Sequence, residues 1–236
     1  MAQDQDNRPR RSKLRDFATN EYAALIVIAL ACALFLGFLQ LAEAVGEGGT
    51  DAFDAAILDM FRVPGNPGEM IGPFWFREAV RDVTALGSFS LLTIITVLVV
   101  TLLMLAGQRG PALLVLVSVL GGTFLSEWLK TFFARPRPEY SVIAQELSSS
   151  FPSGHAMLSA TVFLTIGALL SRFTTLRRLR IFFLGTAIIL TVAVGITRVM
   201  LGVHFPSDVL AGWALGAAWA MLCSTAAYFL RQRGAF

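Results

Sequence analysis

The chain has 236 residues, of which 56% are apolar and only 15% charged, with a formal net charge of +3 and mean hydropathy of +0.68. This excludes a disordered chain, which needs high charge and low hydrophobicity, and it leaves a water-soluble domain too few charges to cover its surface. What remains is a polytopic membrane protein whose apolar surface is covered by lipid.

In chain order, residues 1–21 form a basic tail with Arg8, Arg10, Arg11, Lys13 and Arg15. A span needs about 20 apolar residues, and Tyr22 to Ala42 supplies the first. Ala42-Glu43-Ala44 has the form of a signal-peptide cleavage site. Signal-peptide apolar cores run to only about 7–15 residues, so a retained span is expected. Residues 43–82 form a long loop. Within it Phe53, Ile57, Met60 and Phe61 recur at near-helical spacing, and Asp54 and Asp59 complete a polar face. That pattern predicts a short helix lying along the membrane interface. Pro64-Gly65-Asn66-Pro67-Gly68 breaks it, and Trp75 and Phe76 read as headgroup-level anchors.

Five more spans follow: Val83 to Ala106, Pro111 to Trp128, Ala156 to Leu170, Ile181 to Thr197 and Val209 to Leu230. The Ala156 and Ile181 spans are short, so their helices are expected to extend into flanking residues. No internal repeat or low-complexity linker divides the chain. The expected fold is all-α: one membrane-embedded domain over residues 1–236, with six transmembrane helices and the interfacial helix.

Six spans place both termini on one side. Twelve of the 19 basic residues fall there, and the positive-inside rule makes that side cytoplasmic. The opposite side holds seven basic residues and twelve of the 16 acids. Compact loops and an Arg-rich composition point to a bacterial inner (plasma) membrane. Cys32 and Cys223 lie in apolar runs and read as buried small residues. No basic stripe is interleaved with aromatics, so the expected partner is the lipid bilayer and not nucleic acid.

The outer basic residues cluster at span ends. Lys130, Arg135 and Arg137 follow the third span and Arg198 follows the fifth; His155 and His204, the only histidines, and Asp208 share that side. A six-helix bundle can bring these ends around one outward pocket. Lys130, Arg137 and Arg198 together attract a phosphate dianion, Arg by its two-pronged fork and Lys as a point charge. Pro152-Ser153-Gly154-His155 stands where the fourth helix begins. Free N–H groups there favour an anion, Ser153 adds a hydroxyl, and Gly154 lets the backbone approach closely. His204 and Asp208 are four residues apart, on one face of a helix starting near Pro206 or one turn earlier. A carboxylate on one imidazole nitrogen fixes the tautomer and leaves the other nitrogen to attack phosphorus. His155 is left as the proton donor.

Taken singly these residues have plainer readings. Arg135 is a snorkelling anchor, Asp208 a helix N-terminal charge, and Glu127, one turn before Lys130, a structural partner for it.

The joint spacing resembles the type 2 phosphatidic acid phosphatase superfamily. The family's first motif, Lys, six residues, Arg-Pro, is matched by Lys130 through Arg137-Pro138. Its second, Pro-Ser-Gly-His, is Pro152 to His155. Its third, Ser-Arg, five residues, His, three residues, Asp, reads Thr197-Arg198, His204 and Asp208, with Thr in place of Ser. The motifs occupy residues 130–208. The resemblance implies a lipid phosphatase that needs no cofactor or divalent metal. It implies His204 as the nucleophile with Asp208 as its partner, and His155 as the acid that protonates the leaving group and later activates water. Lys130, Arg137, Ser153, Gly154 and Arg198 would hold the phosphoryl oxygens. The expected substrate is a phosphomonoester or pyrophosphate on a membrane lipid of the undecaprenyl pyrophosphate, phosphatidylglycerophosphate, phosphatidic acid or lipid A type. A lipid phosphotransferase would keep every one of these residues. A transporter would instead need polar residues in mid-span, and few are there.

Overall fold

The computed structural model describes residues 8–139 and 149–233, with side chains from residue 21 onward. Residues 1–7 of the basic tail, the side chains of Arg8 to Arg15, and residues 140–148 of the motif region lie outside the described residues. The described elements are α1 (Arg8–Gly46), α2 (Asp51–Asp59), β1 (Arg62–Val63), β2 (Asn66–Met70), α3 (Phe74–Ala85), α4 (Phe89–Leu105), α5 (Arg109–Phe133), α6 (Gly154–Arg172), α7 (Arg177–Met200) and α8 (Pro206–Gln232). The fold is an all-α bundle with one small hairpin. α6 and α7 extend beyond the short apolar runs Ala156 to Leu170 and Ile181 to Thr197.

Among the described residues five helices are long and apolar enough to cross a membrane: α1, α5, α6, α7 and α8. The expected continuous span from Val83 to Ala106 is broken instead. α3 ends at Ala85, α4 begins at Phe89, and their axes bend by 48°. Ser88 starts α4 by accepting a hydrogen bond from the Leu91 N–H at 3.3 Å, the usual way a serine satisfies an orphan first-turn donor. Gly87 occupies the bend because nothing larger fits: a Cβ there would lie 2.3 Å from Val194 Cγ1 and 3.5 Å from His155 Cδ2.

Burial identifies the centre of the bundle. Of the apolar window of α6, 67% is buried, against 11% for α1. α6 packs between α7 and α8, with α5 alongside. Its buried residues combine the small Gly154, Ala156, Ser159, Ala160 and Gly167 with larger ones such as Met157 and Phe163. α8 meets it through Gly212 and Gly216, one turn apart. A Cβ on Gly212 would stand 2.7 Å from the Ser153 carbonyl, and one on Gly216 would stand 2.4 Å from the Met157 carbonyl. Lipid gives helices no hydrophobic reason to associate, so close backbone packing on small residues supplies the attraction. Cys32 departs from its expected burial: it is exposed on α1, and Cys223 is half-buried.

The connection from α1 to α3 folds over one end of the bundle. β1 and β2 pair antiparallel, with Arg62 opposite Met70 and Val63 opposite Asn66. Gly65 has φ +82 in the turn, so the Pro-Gly stretch forms a hairpin, while α2 has already ended at Asp59, ahead of β1. Arg62 is buried and donates from Nη2 to the Met200 carbonyl at 3.1 Å, closing the C-terminal end of α7 with a cation. Phe61 and Phe76 pack on Met70, Val80, Met200, Leu201 and Val203. Phe76 is therefore a packing residue and not the anchor its composition predicts, whereas Phe74 and Trp75 are exposed. Asp54 also departs from expectation. It is 1% exposed, and only Asp59 of the predicted polar pair faces outward.

Candidate active site

Most of the sequence-predicted residues come from four helix ends, while Arg137 and His204 lie in the segments that follow α5 and α7. Lys130 lies in the last turn of α5 and Arg198 in the last turn of α7. His155 is in the first turn of α6, and Asp208 is in the first turn of α8. The helices alternate in direction, so these ends share one side of the bundle. Lys130, Arg137, Arg198 and His204 all lie within electrostatic reach of His155.

The α6 N-terminus is the floor of the cluster. Ser153 is fully buried and caps the helix, its hydroxyl accepting from the Ala156 N–H at 3.5 Å. The Ser153 N–H donates to the Asp208 carbonyl at 3.0 Å, joining the starts of α6 and α8. Gly154 faces Lys130 so closely that a Cβ would come within 3.0 Å of Nζ. The same ammonium pairs with Glu127 Oε1 at 2.8 Å, in line with the structural reading of Glu127. Ser126, one turn earlier on α5, is buried beside Gly154, and its hydroxyl has no hydrogen-bond partner among the described residues.

His204 is 2% exposed in the connection between α7 and α8. Its Nδ1 lies 2.9 Å from the Ser150 carbonyl, which can only accept, so Nδ1 carries the hydrogen and Nε2 the lone pair. Asp208 Oδ2 is farther from the same nitrogen, at 3.6 Å. The sequence spacing thus brings Asp208 to His204, while the nearer hydrogen-bond acceptor is a backbone oxygen that no side-chain motif records. Ser150 is held in place in turn: its N–H donates to the Arg135 carbonyl at 2.9 Å and its hydroxyl to the Pro136 carbonyl at 2.9 Å. Phe151 behind it is fully buried and packs on Phe38 and Phe133.

On the other side of the ring, Arg137 Nη1 lies 3.4 Å from His204 Nε2 and donates to the Val203 carbonyl at 3.0 Å. Arg198 is 3% exposed and donates from Nη1 to Thr84 Oγ1 at 3.4 Å, next to the break before α4. Burial is the main cause that lowers the His204 pKa from 6.5 to about 4. Asp208 pulls it upward, and the charges of Arg198 and Arg137 push it down again. A neutral imidazole with Nε2 unprotonated has a lone pair available to attack an electrophile, and a guanidinium beside it can attract an anion.

Arg135 is not the snorkelling anchor expected of it. Its side chain is 11% exposed and lies between two carboxylates, 2.7 Å from Asp208 Oδ1 and 2.9 Å from Asp54 Oδ2. Burial lowers its pKa, and Asp208 and Asp54 more than offset this and raise it overall. Phe205 stacks beneath the guanidinium at 4.2 Å. Sequence reasoning missed Asp54, Ser150, Thr84 and Gly87 because they lie far along the chain from the groups they meet. Arg135, two residues before Arg137, was within sight. Among the described residues no group of three or more His, Cys, Asp or Glu stands close enough to hold a metal ion.

Comparison with known proteins gives a consistent picture. The family model of the PAP2 superfamily matches residues 111–232, which span every motif residue named above. Phosphatidylglycerophosphatase B of Bacillus subtilis is 33% identical over 186 residues, covering 78% of this chain and 87% of that protein. Lipid A 1-phosphatase of Rhizobium johnstonii is 38% identical over 118 residues, 45% of this chain and 43% of that one. The crystal structure of a transmembrane PAP2-type phosphatidylglycerolphosphate phosphatase from Bacillus subtilis superimposes with a TM-score of 0.75 at 31% identity, covering 86% of this chain and 96% of that chain.

Proposed function

The chain belongs to the PAP2 superfamily and is a lipid phosphate phosphatase of that family; on that premise we propose that it hydrolyses a phosphate ester on a membrane lipid through a phosphohistidine on His204. The convergence of His204, His155, Lys130, Arg137 and Arg198 at one end of the bundle carries this reading. Nε2 of His204 forms a bond to phosphorus while the ester P–O bond breaks, and His155 gives its proton to the departing alkoxide. Water then attacks the phosphohistidine, its proton goes to His155, the P–N bond breaks, and inorganic phosphate leaves. Lys130, Arg137, Arg198, the Ser153 hydroxyl and the backbone at Gly154 stabilise the charge on the transferring group. Asp208 stabilises the charged imidazole.

The relatives point first to phosphatidylglycerophosphate, with lipid A type phosphates next. In this reading residues 1–236 are one membrane domain, and α3 with α4 makes the sixth crossing, bent at its outer end. The positive-inside rule puts both termini in the cytoplasm and the site on the outer face of a bacterial inner membrane. α2 and the exposed Phe74 and Trp75 lie at the headgroup level on that face.

The test is phosphate release from a panel of lipid phosphates by the detergent-purified protein in excess chelator, compared by kcat/KM. His204→Ala is expected to abolish turnover and the acid-labile phosphoenzyme. His155→Ala is expected to cut the rate by about 10²–10⁴-fold. Wild-type turnover by His204→Ala ends the proposal.

A further inference from the structure

Arg135 and Asp54 form a closed ring with the first turn of α8. Arg135 Nη1 donates to Asp208 Oδ1 at 2.7 Å and to Ser207 Oγ at 2.8 Å. Nη2 donates to Asp54 Oδ2 at 2.9 Å. Asp54 returns to the same turn, its Oδ1 accepting the Ser207 N–H at 2.9 Å and its Oδ2 the Ser207 hydroxyl. Thr50, at the start of α2, stands 3.5 Å from Nη2. Asp208 spends its other oxygen on the Phe205 N–H at 2.9 Å, and that oxygen is the one 3.6 Å from His204. Asp54, Ser207 and Asp208 are each at most 1% exposed.

Three features set this ring apart from an ordinary surface ion pair. It contains two buried carboxylates and one guanidinium, so the charge of Asp208 is shared, not fully neutralised, by Arg135. The two-pronged geometry fixes the carboxylate plane of Asp208, which Lys in place of Arg cannot do. The ring also joins three separate pieces of chain: α2, the stretch after α5, and the first turn of α8, which directly follows the connection that carries His204.

We propose that Arg135 and Asp54 are positioning residues for the reaction, and that α2 is a built part of the active site, because the ring they close orients Asp208 toward His204. The inference rests on the reading of His204 as nucleophile. Neither residue touches the phosphoryl group. Their effect falls on the step in which His204 gains positive charge, and not on phosphate binding by Lys130, Arg137 and Arg198.

The experiment compares Asp54→Asn, Arg135→Lys, the double variant and Asp59→Asn in purified full-length protein, with His204→Ala alongside. Asp59 is exposed on the same helix and serves as the control. Asp54→Asn and Arg135→Lys are expected to lower kcat by about 10–100-fold while KM and inhibition by inorganic phosphate stay at wild-type values. The double variant is expected to be no worse than the weaker single, because the ring acts as a unit. Asp59→Asn is expected to match wild type. Wild-type kcat in both single variants, with His204→Ala inactive, overturns the inference and leaves the nucleophile standing. Parallel loss of kcat and of phosphate inhibition means a collapsed pocket and also overturns it. So does failure of both variants to give folded protein, which would make the ring a folding element only. No turnover by the wild-type protein, or full turnover by His204→Ala, sinks the underlying reading instead.

Discussion

At the scale of single residues, the proposed chemistry concentrates on His204. It is buried, and its Nδ1 is committed to the Ser150 carbonyl, so protonating Nε2 puts a charge where water cannot solvate it. The sign of the effect follows. The folded-state pKa of about 4 lies below the ordinary 6.5, so the unfolded chain binds more protons between those values. The contribution of His204 to stability is complete above 6.5 and is lost as pH falls from 6.5 toward about 4. The His204 imidazole, the proposed nucleophile, stays neutral over most of the same range. Nitrogen NMR of labelled histidine in detergent is expected to show His204 in its Nδ1–H form well below pH 6.5. An ordinary midpoint at 6.5 or above would disprove the buried, cation-flanked environment.

At the scale of elements, the site depends on how closely α6 and α8 can approach. Gly212 and Gly216 let the α8 backbone rest on carbonyls of α6, and the Ser153 carbonyl is one of them, so the helix packing and the proposed phosphate site share the residue Ser153. A methyl group at Gly216 must displace backbone. Gly216→Ala is expected to destabilise the protein by about 1–3 kcal/mol, the usual cost of overpacking. Gly185 on α7 is a matched control, since a Cβ there meets nothing within 4 Å. Gly185→Ala is expected to leave stability unchanged or raise it slightly. Thermal unfolding in detergent measures both, and equal melting temperatures would refute the close-packing account. The break between α3 and α4 works the same way: Gly87 is small because Val194 and His155 are close.

For the whole molecule, the proposed orientation rests on the asymmetry of basic residues across the membrane. With Cys32 and Cys223 first replaced by Ser, Asp59→Cys is expected to react with a membrane-impermeant maleimide in intact cells. Arg178→Cys is expected to react only after permeabilisation, and the reverse pattern would invert the proposed topology. The apolar spans, their approximate limits and the three motif groups were legible in the chain, because each is a local property: hydropathy over a window, or spacing within one turn or loop. Lys130, His155, Arg198 and Asp208 could be assigned to helix ends for that reason, and alternating helices put those ends together. Local properties could not show that Asp54 is buried, that Arg135 divides itself between two carboxylates, or that the Ser150 carbonyl and not Asp208 lies nearest to His204. Those contacts join residues 54 to 153 positions apart. Only the packing of α2 and the connecting segments on the bundle end brings them within hydrogen-bonding distance, where burial makes an unpaired charge or donor costly.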